Sequence, residues 1–180
     1  ALLGHIGQLP LARSFGLIPR GDFGLGLTND ETAAELARLG FASATASFES
    51  RLAQIRDLSK PLDLELLVYG RLPLMLMEHC ILRNRGQGCH CQDKPQSLGD
   101  RKGEHFPVES AWGCRNELFN AKPLWLADKT DWRTAGAAYA RLAFLREGPG
   151  ECARVFRAYR EGAGEPPRAF TRGLYYRGVE

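Results

Sequence analysis

Residues 1–77 repeat one rhythm: a short apolar run, a glycine or polar turn, then a segment with helical spacing. Nothing else in the chain restricts its fold so tightly. Strands separated by a helix with only short links run parallel, because the crossover helix returns the chain to the same end of the sheet. Strands are predicted over 1–4, 41–47 and 62–69, with a strand or extended loop over 21–27. Helices are predicted over 9–15, 30–39 and 48–58, the second capped by Thr28 or Asn29 and stopped by Gly40. The expected fold class is therefore α/β. Four βα units fit half of a (β/α)8-type (TIM-like) barrel or a small doubly wound sheet, and four strands cannot close a barrel alone.

Sites in barrels gather where strands end. That rule draws attention to His5 and Gln8, Asp22 and Asn29, Ser47 and Glu49, and the stretch from Arg71 to Cys80. The fourth strand delivers the chain into residues 78–122, which hold Cys80, Cys89, Cys91 and Cys114, four of the five cysteines. His79, His90 and His105 lie there too. This segment is rich in glycine and charge and has little apolar periodicity, so a metal or cluster site explains the thiols better than packing does. Thiolates bind soft metals, and four of them suit tetrahedral zinc or an iron-sulfur cluster. The spacing matches neither standard signature, and any of the three histidines could replace a cysteine.

Residues 123–180 are read as a closing part: a short helix ending within 134–139, a strand over 141–145, a helix over 151–162 and a basic tail. Cys152 shares an apolar stripe with Val155, Phe156 and Tyr159 and reads as core. Residues 133–180 carry nine Arg and five Glu, and Arg154, Arg157 and Arg160 share a helix face that could meet phosphate or remain solvated. All three parts are expected to form one domain, of a size that 180 residues with 44% hydrophobic composition can support. A chain that starts at Ala1 directly in an apolar run reads as a fragment of a longer protein. The longest apolar run, 62–77, is broken by Asp63, Glu65, Gly70, Arg71 and Pro73, which argues against a membrane span. Five cysteines without a secretory signal favour a reducing, cytoplasmic setting.

Other chemistries lack their residues. There is no nucleophile elbow, no H-E-x-x-H, no Walker loop and no dinucleotide fingerprint. Glu78, His79 and Cys80 are adjacent and so cannot face one another as a catalytic dyad. Asp100 to Gly103 reads as a tight charged turn, a salt-bridged hairpin corner or an anion contact through Arg101.

Several blocks, in this order, resemble one known family: GDFGLGLTN at 21–29, SFES at 47–50, YGRLPLMLMEHC at 69–80, the paired Cys89 and Cys91, LGDRKGEHFPV at 98–108, CRNELFNAKPL at 114–124 and TRGLYYRGV at 171–179. The chain is similar over nearly its whole length to the collagenase-like peptidases of family U, number thirty-two, of unknown catalytic type. The resemblance implies the second half of a (β/α)8-type barrel followed by a cysteine-rich segment, with the first barrel half as a partner. It implies a 4Fe-4S cluster on Cys80, Cys89, Cys91 and Cys114, the first of these just after a barrel strand. Family members of this kind hydroxylate a base of ribosomal or transfer RNA, or a quinone precursor, without molecular oxygen. Arg71, Arg101, Arg115 and Arg172 fall in the resembling blocks and are candidate substrate contacts. The family name implies a peptidase as the alternative, and a non-enzymatic module with structural zinc is a third reading.

Overall fold

The structure is a computed structural model that describes residues 1–83 and 95–177. Its larger sheet begins with β1 (Leu2–Leu3), β2 (Arg20–Gly21), β3 (Ser43–Thr45) and β4 (Asp63–Gly70), each parallel to the one before. Helices α1 (Leu9–Ser14), α2 (Asp30–Arg38) and α3 (Leu52–Asp57) make the crossovers. The parallel βα rhythm is thus realised, with shorter strands than the apolar runs implied. After β2 the chain turns through a 3-10 segment, Phe23–Leu25, and does not continue as a strand. The third helix starts at Leu52 because Ser47 to Ser50 closes a turn, the Ser50 amide donating to the Ser47 carbonyl. Asn29 caps α2 by accepting from the Thr32 amide at 2.9 Å.

The chain then leaves this sheet and builds a second one. Strands β5 (Pro73–Met77), β6 (Gln96–Gly99), β7 (His105–Ala111) and β8 (Arg115–Phe119) form an antiparallel sheet in the order β5-β8-β7-β6. The sequence reading assigned no strands here. Finally β9 (Leu124–Trp125) pairs antiparallel with the end of β4, and β10 (Tyr139–Ala143) pairs parallel along β4. The short helix expected within 134–139 is a 3-10 turn, Asp131–Thr134, and the strand expected at 141 starts at Tyr139. The result is a six-stranded, mainly parallel sheet in the order β1-β2-β3-β4-β10, with β9 beside β4.

The main core lies between the helices and one face of this sheet, where Ala44, Leu64, Leu66 and Val68 meet Leu36, Ile55 and Val155. The last of these belongs to α4 (Pro149–Glu161), which buries Val155, Ala158 and Tyr159. Phe156, expected on that buried stripe, is exposed, and Ala158 takes the buried position instead. Gly70 ends β4 at φ 126°, where an added Cβ would sit 2.1 Å from the Ala143 carbonyl oxygen. Only glycine allows β4 and β10 to close to this distance. No helix among the described residues is long and apolar enough to cross a membrane.

Candidate functional site

Three groups of polar side chains gather around the ends and the open face of the parallel strands. The first is the thiol end of the small sheet. The β5-β8 register pairs Met77 with Asn116, and the Glu78 carboxylate extends it by accepting from Arg115 Nε at 2.9 Å. Buried Asn116 accepts the Ile81 amide at 2.8 Å, which fixes the turn that carries Cys80. Cys80 is buried with Leu82 and Val108. Cys114 closes the connection from β7 to β8, two residues before Asn116. Cys80 and Cys114 therefore stand at the same end of the sheet.

The Cys114 backbone is left-handed, at φ 60°, directly after Gly113 at φ 74°. It is the non-glycine residue with positive φ among the described residues, and such a conformation costs roughly 1–3 kcal/mol. Its thiol is exposed, so burial does not offset that strain. An exposed cysteine on a strained turn, at the same end of the sheet as a second thiol, has the chemistry of a soft-metal ligand. Cys89, Cys91 and His90 lie outside the described residues. Among the described residues no group of three or more His, Cys, Asp or Glu side chains is placed to hold a metal ion. The described portion of the expected four-thiol set is Cys80 and Cys114. His105 is excluded as a substitute ligand: it begins β7, six residues and about 20 Å of strand from Ala111 at the thiol end. Cys152 is also apart, on α4, with its thiol 3.5 Å from the Glu147 carbonyl oxygen.

The second group is the mouth where β4 and β10 end. A cavity of about 350 Å³ lies between these ends and the small sheet, lined by Arg71, Ser97, His105, Arg146, Glu147 and Glu151 among others. Arg71 donates to the Asn120 carbonyl at 3.0 Å and to that of Ala121. Arg146 pairs with Glu109 at 2.5 Å and donates to the Gln96 and Val108 carbonyls, joining the two sheets. Burial pushes the Glu147 carboxyl up, but the Leu145 and Arg146 amides and the Tyr69 hydroxyl outweigh it and hold it below its usual value. Glu117 faces Glu109 directly across the β7-β8 ladder, without the guanidinium that Glu109 has. Desolvation raises the Glu117 pKa. A carboxyl of this kind can hold a proton.

The third group covers the face of the parallel sheet opposite the core. Arg141 bridges Asp22 at 2.6 Å and Glu65, and donates to the Thr45 hydroxyl at 2.9 Å. One tier below, Tyr139 donates to Asp63 at 3.1 Å and Arg20 donates to Ser43 at 3.0 Å. Asp22 was expected as a strand-end residue; Glu65, Arg141 and Thr45 were not. The signal was present in Asp63-Leu64-Glu65, where polar residues alternate with apolar ones inside a strand and so mark a polar face.

The arginines expected at a substrate divide by their partners. Arg172 makes a double contact with Asp128, at 2.6 Å for each nitrogen, and donates to the Trp125 carbonyl, pinning the C-terminal segment. Arg101 is exposed on the β6-β7 turn. That turn is held by Asp100, which accepts the Lys102 and Glu104 amides at 2.8 and 2.9 Å, rather than by the expected salt bridge. Arg71 serves the mouth, and Arg115 the thiol end, where its guanidinium lies 6.0 Å from the Trp112 ring centre. No family model, curated protein or solved structure matches the chain.

Proposed function

We propose that this chain is the second half of a (β/α)8-type barrel whose thiol end holds a 4Fe-4S cluster on Cys80, Cys89, Cys91 and Cys114. The proposed enzyme is cytoplasmic and hydroxylates a planar ring, an RNA base or a quinone precursor, with the first barrel half completing the site. The observation that carries the reading is the placement of Cys80 and a strained, exposed Cys114 at one end of the small sheet. When bound, such a cluster supplies one-electron transfer. The reaction replaces a ring C–H by C–OH, taking oxygen from water and passing two electrons and two protons to an external acceptor. Beside the mouth, Arg146 pairs with Glu109, while the desolvated Glu117 opposite it is the group suited to taking up or releasing a proton. Arg71 and Glu147 fix the walls through hydrogen bonds to the backbone.

The test is mass spectrometry of nucleosides and quinone precursors from cells carrying the intact protein, its Cys80→Ser form, or neither. One product bearing an added ring oxygen should be present with the intact protein and absent in the other two. An identical product profile in all three refutes the reading, and cleavage of gelatin by the purified full-length protein, lost on a defined point mutation, would turn it toward a peptidase.

A further inference from the structure

The three tryptophans have opposite environments. Trp125 and Trp132 are buried, whereas Trp112 is 87% exposed, the most exposed of the large apolar side chains. It opens the connection between β7 and β8, where the left-handed pair Gly113 and Cys114 reverses the chain tightly. The ring is therefore held on a short turn between two paired strands and not on a loose loop. Arg115 lies on it at 6.0 Å, and Arg115 is in turn oriented by Glu78 at 2.9 Å. A large π-face with an anchored guanidinium beside it is the pattern that stacks an unpaired base and attracts its phosphate. An ordinary surface Trp lacks the second element.

We infer that Trp112, flanked by Arg115, is a stacking platform for one unpaired base of a single-stranded RNA, adjacent to the thiol end. The inference rests on the proposed RNA substrate and narrows it: the base is presented from a single strand, and Trp112 is its binding contact. A base presented for chemistry has to leave any duplex first, and a stacking surface at the thiol end offsets part of that cost. Glu78 balances the Arg115 charge, so the platform's affinity comes mainly from stacking and survives moderate salt.

The test uses the full chain and a short mixed-sequence single-stranded RNA labelled with a fluorophore. Acrylamide quenches exposed tryptophan selectively, so in free protein it should quench Trp112 and leave Trp125 and Trp132 bright. The oligonucleotide should protect the quenched signal. Trp112→Ala and Trp112→Leu should bind the RNA about 5- to 100-fold more weakly, and Trp112→Phe within about 3-fold of the parent. Circular dichroism confirms that each variant is folded, and the leucine form keeps apolar bulk without a stacking face. Binding by Trp112→Leu equal to that of the parent overturns the inference, as does equal affinity for the matching duplex or a parent protein that binds no RNA. Iron and sulfide are measured on the same samples. Iron-free protein that still needs Trp112 for RNA counts against the cluster alone, and iron-loaded protein indifferent to Trp112 counts against the platform alone.

Discussion

Replacing Tyr159 by Phe removes one oxygen atom from the point where α4, β4 and β9 meet. Along β4 the pairing with β10 passes from Leu67 opposite Arg141 to Tyr69 opposite Leu142, so Val68 has no partner residue on β10. Two tyrosines serve the carbonyls at this irregularity. Tyr175 donates to Leu67 at 2.7 Å, and Tyr159 donates to Val68 at 2.6 Å while accepting the Leu126 amide at 2.7 Å. Val68 and Leu126 are fully buried, so water does not replace the lost hydroxyl. Each orphaned buried group costs about 1–3 kcal/mol, and two groups are orphaned, for a loss of roughly 2–4 kcal/mol after partial relaxation. In a chain of this length that lowers the melting temperature by about 5–15 °C. Tyr175→Phe orphans one group and should lose roughly half as much. Thermal unfolding followed by circular dichroism measures both. A Tyr159→Phe protein melting within about 1 °C of the parent would refute the reasoning, because it would mean that the Val68 carbonyl and Leu126 amide find other partners.

Other substitutions probe the remaining groups. Arg141→Met strands Asp22 and Glu65 beside each other without their shared cation and should cost about 2–4 kcal/mol in chemical denaturation. Gly70→Ala forces a Cβ against the Ala143 carbonyl and should yield a strongly destabilised or insoluble chain, detected by soluble yield and melting. Glu117→Gln should raise the melting temperature at neutral pH and match the parent in acid. The sign follows from the raised folded-state pKa: the protonated carboxyl is at no disadvantage below the ordinary carboxylate range, and stability is lost as pH rises through the folded value. Equal pH profiles for the two proteins would show that the Glu117 environment is not desolvating.

The parallel half of the fold was legible in the sequence because each βα unit carries its own local signals. Asn29 and Gly40 bracket α2, and the run from Leu64 to Tyr69, short and stopped by Gly70, fits a largely buried strand. The small sheet was not legible. Leu74, Met75 and Leu76 of β5 are all exposed, so that strand shows no alternation of apolar and polar residues. The tight turn at Asp100 to Gly103 was legible and does join β6 to β7, but the strands on either side of it carry too little apolar alternation to have announced them. The strand-end rule drew attention to Cys80 and Asp22. It was not carried to the strand predicted over 141–145, where it would have found Arg146, and it could not find Glu109 and Glu117, which meet only through the pairing of β7 with β8. Phe156 failed for a related reason: helical spacing defines a stripe, but only the neighbouring Val68 and Trp125 decide which edge of the stripe is covered.

The most direct test of the central proposal is the metal and sulfide content of the complete protein prepared without oxygen. The account predicts about four iron and four sulfide per chain, with the charge-transfer absorption of a cluster, and loss of both in Cys80→Ser and in Cys114→Ser. Zinc without sulfide, or an iron-free protein whose Cys80 and Cys114 remain free thiols, would contradict it.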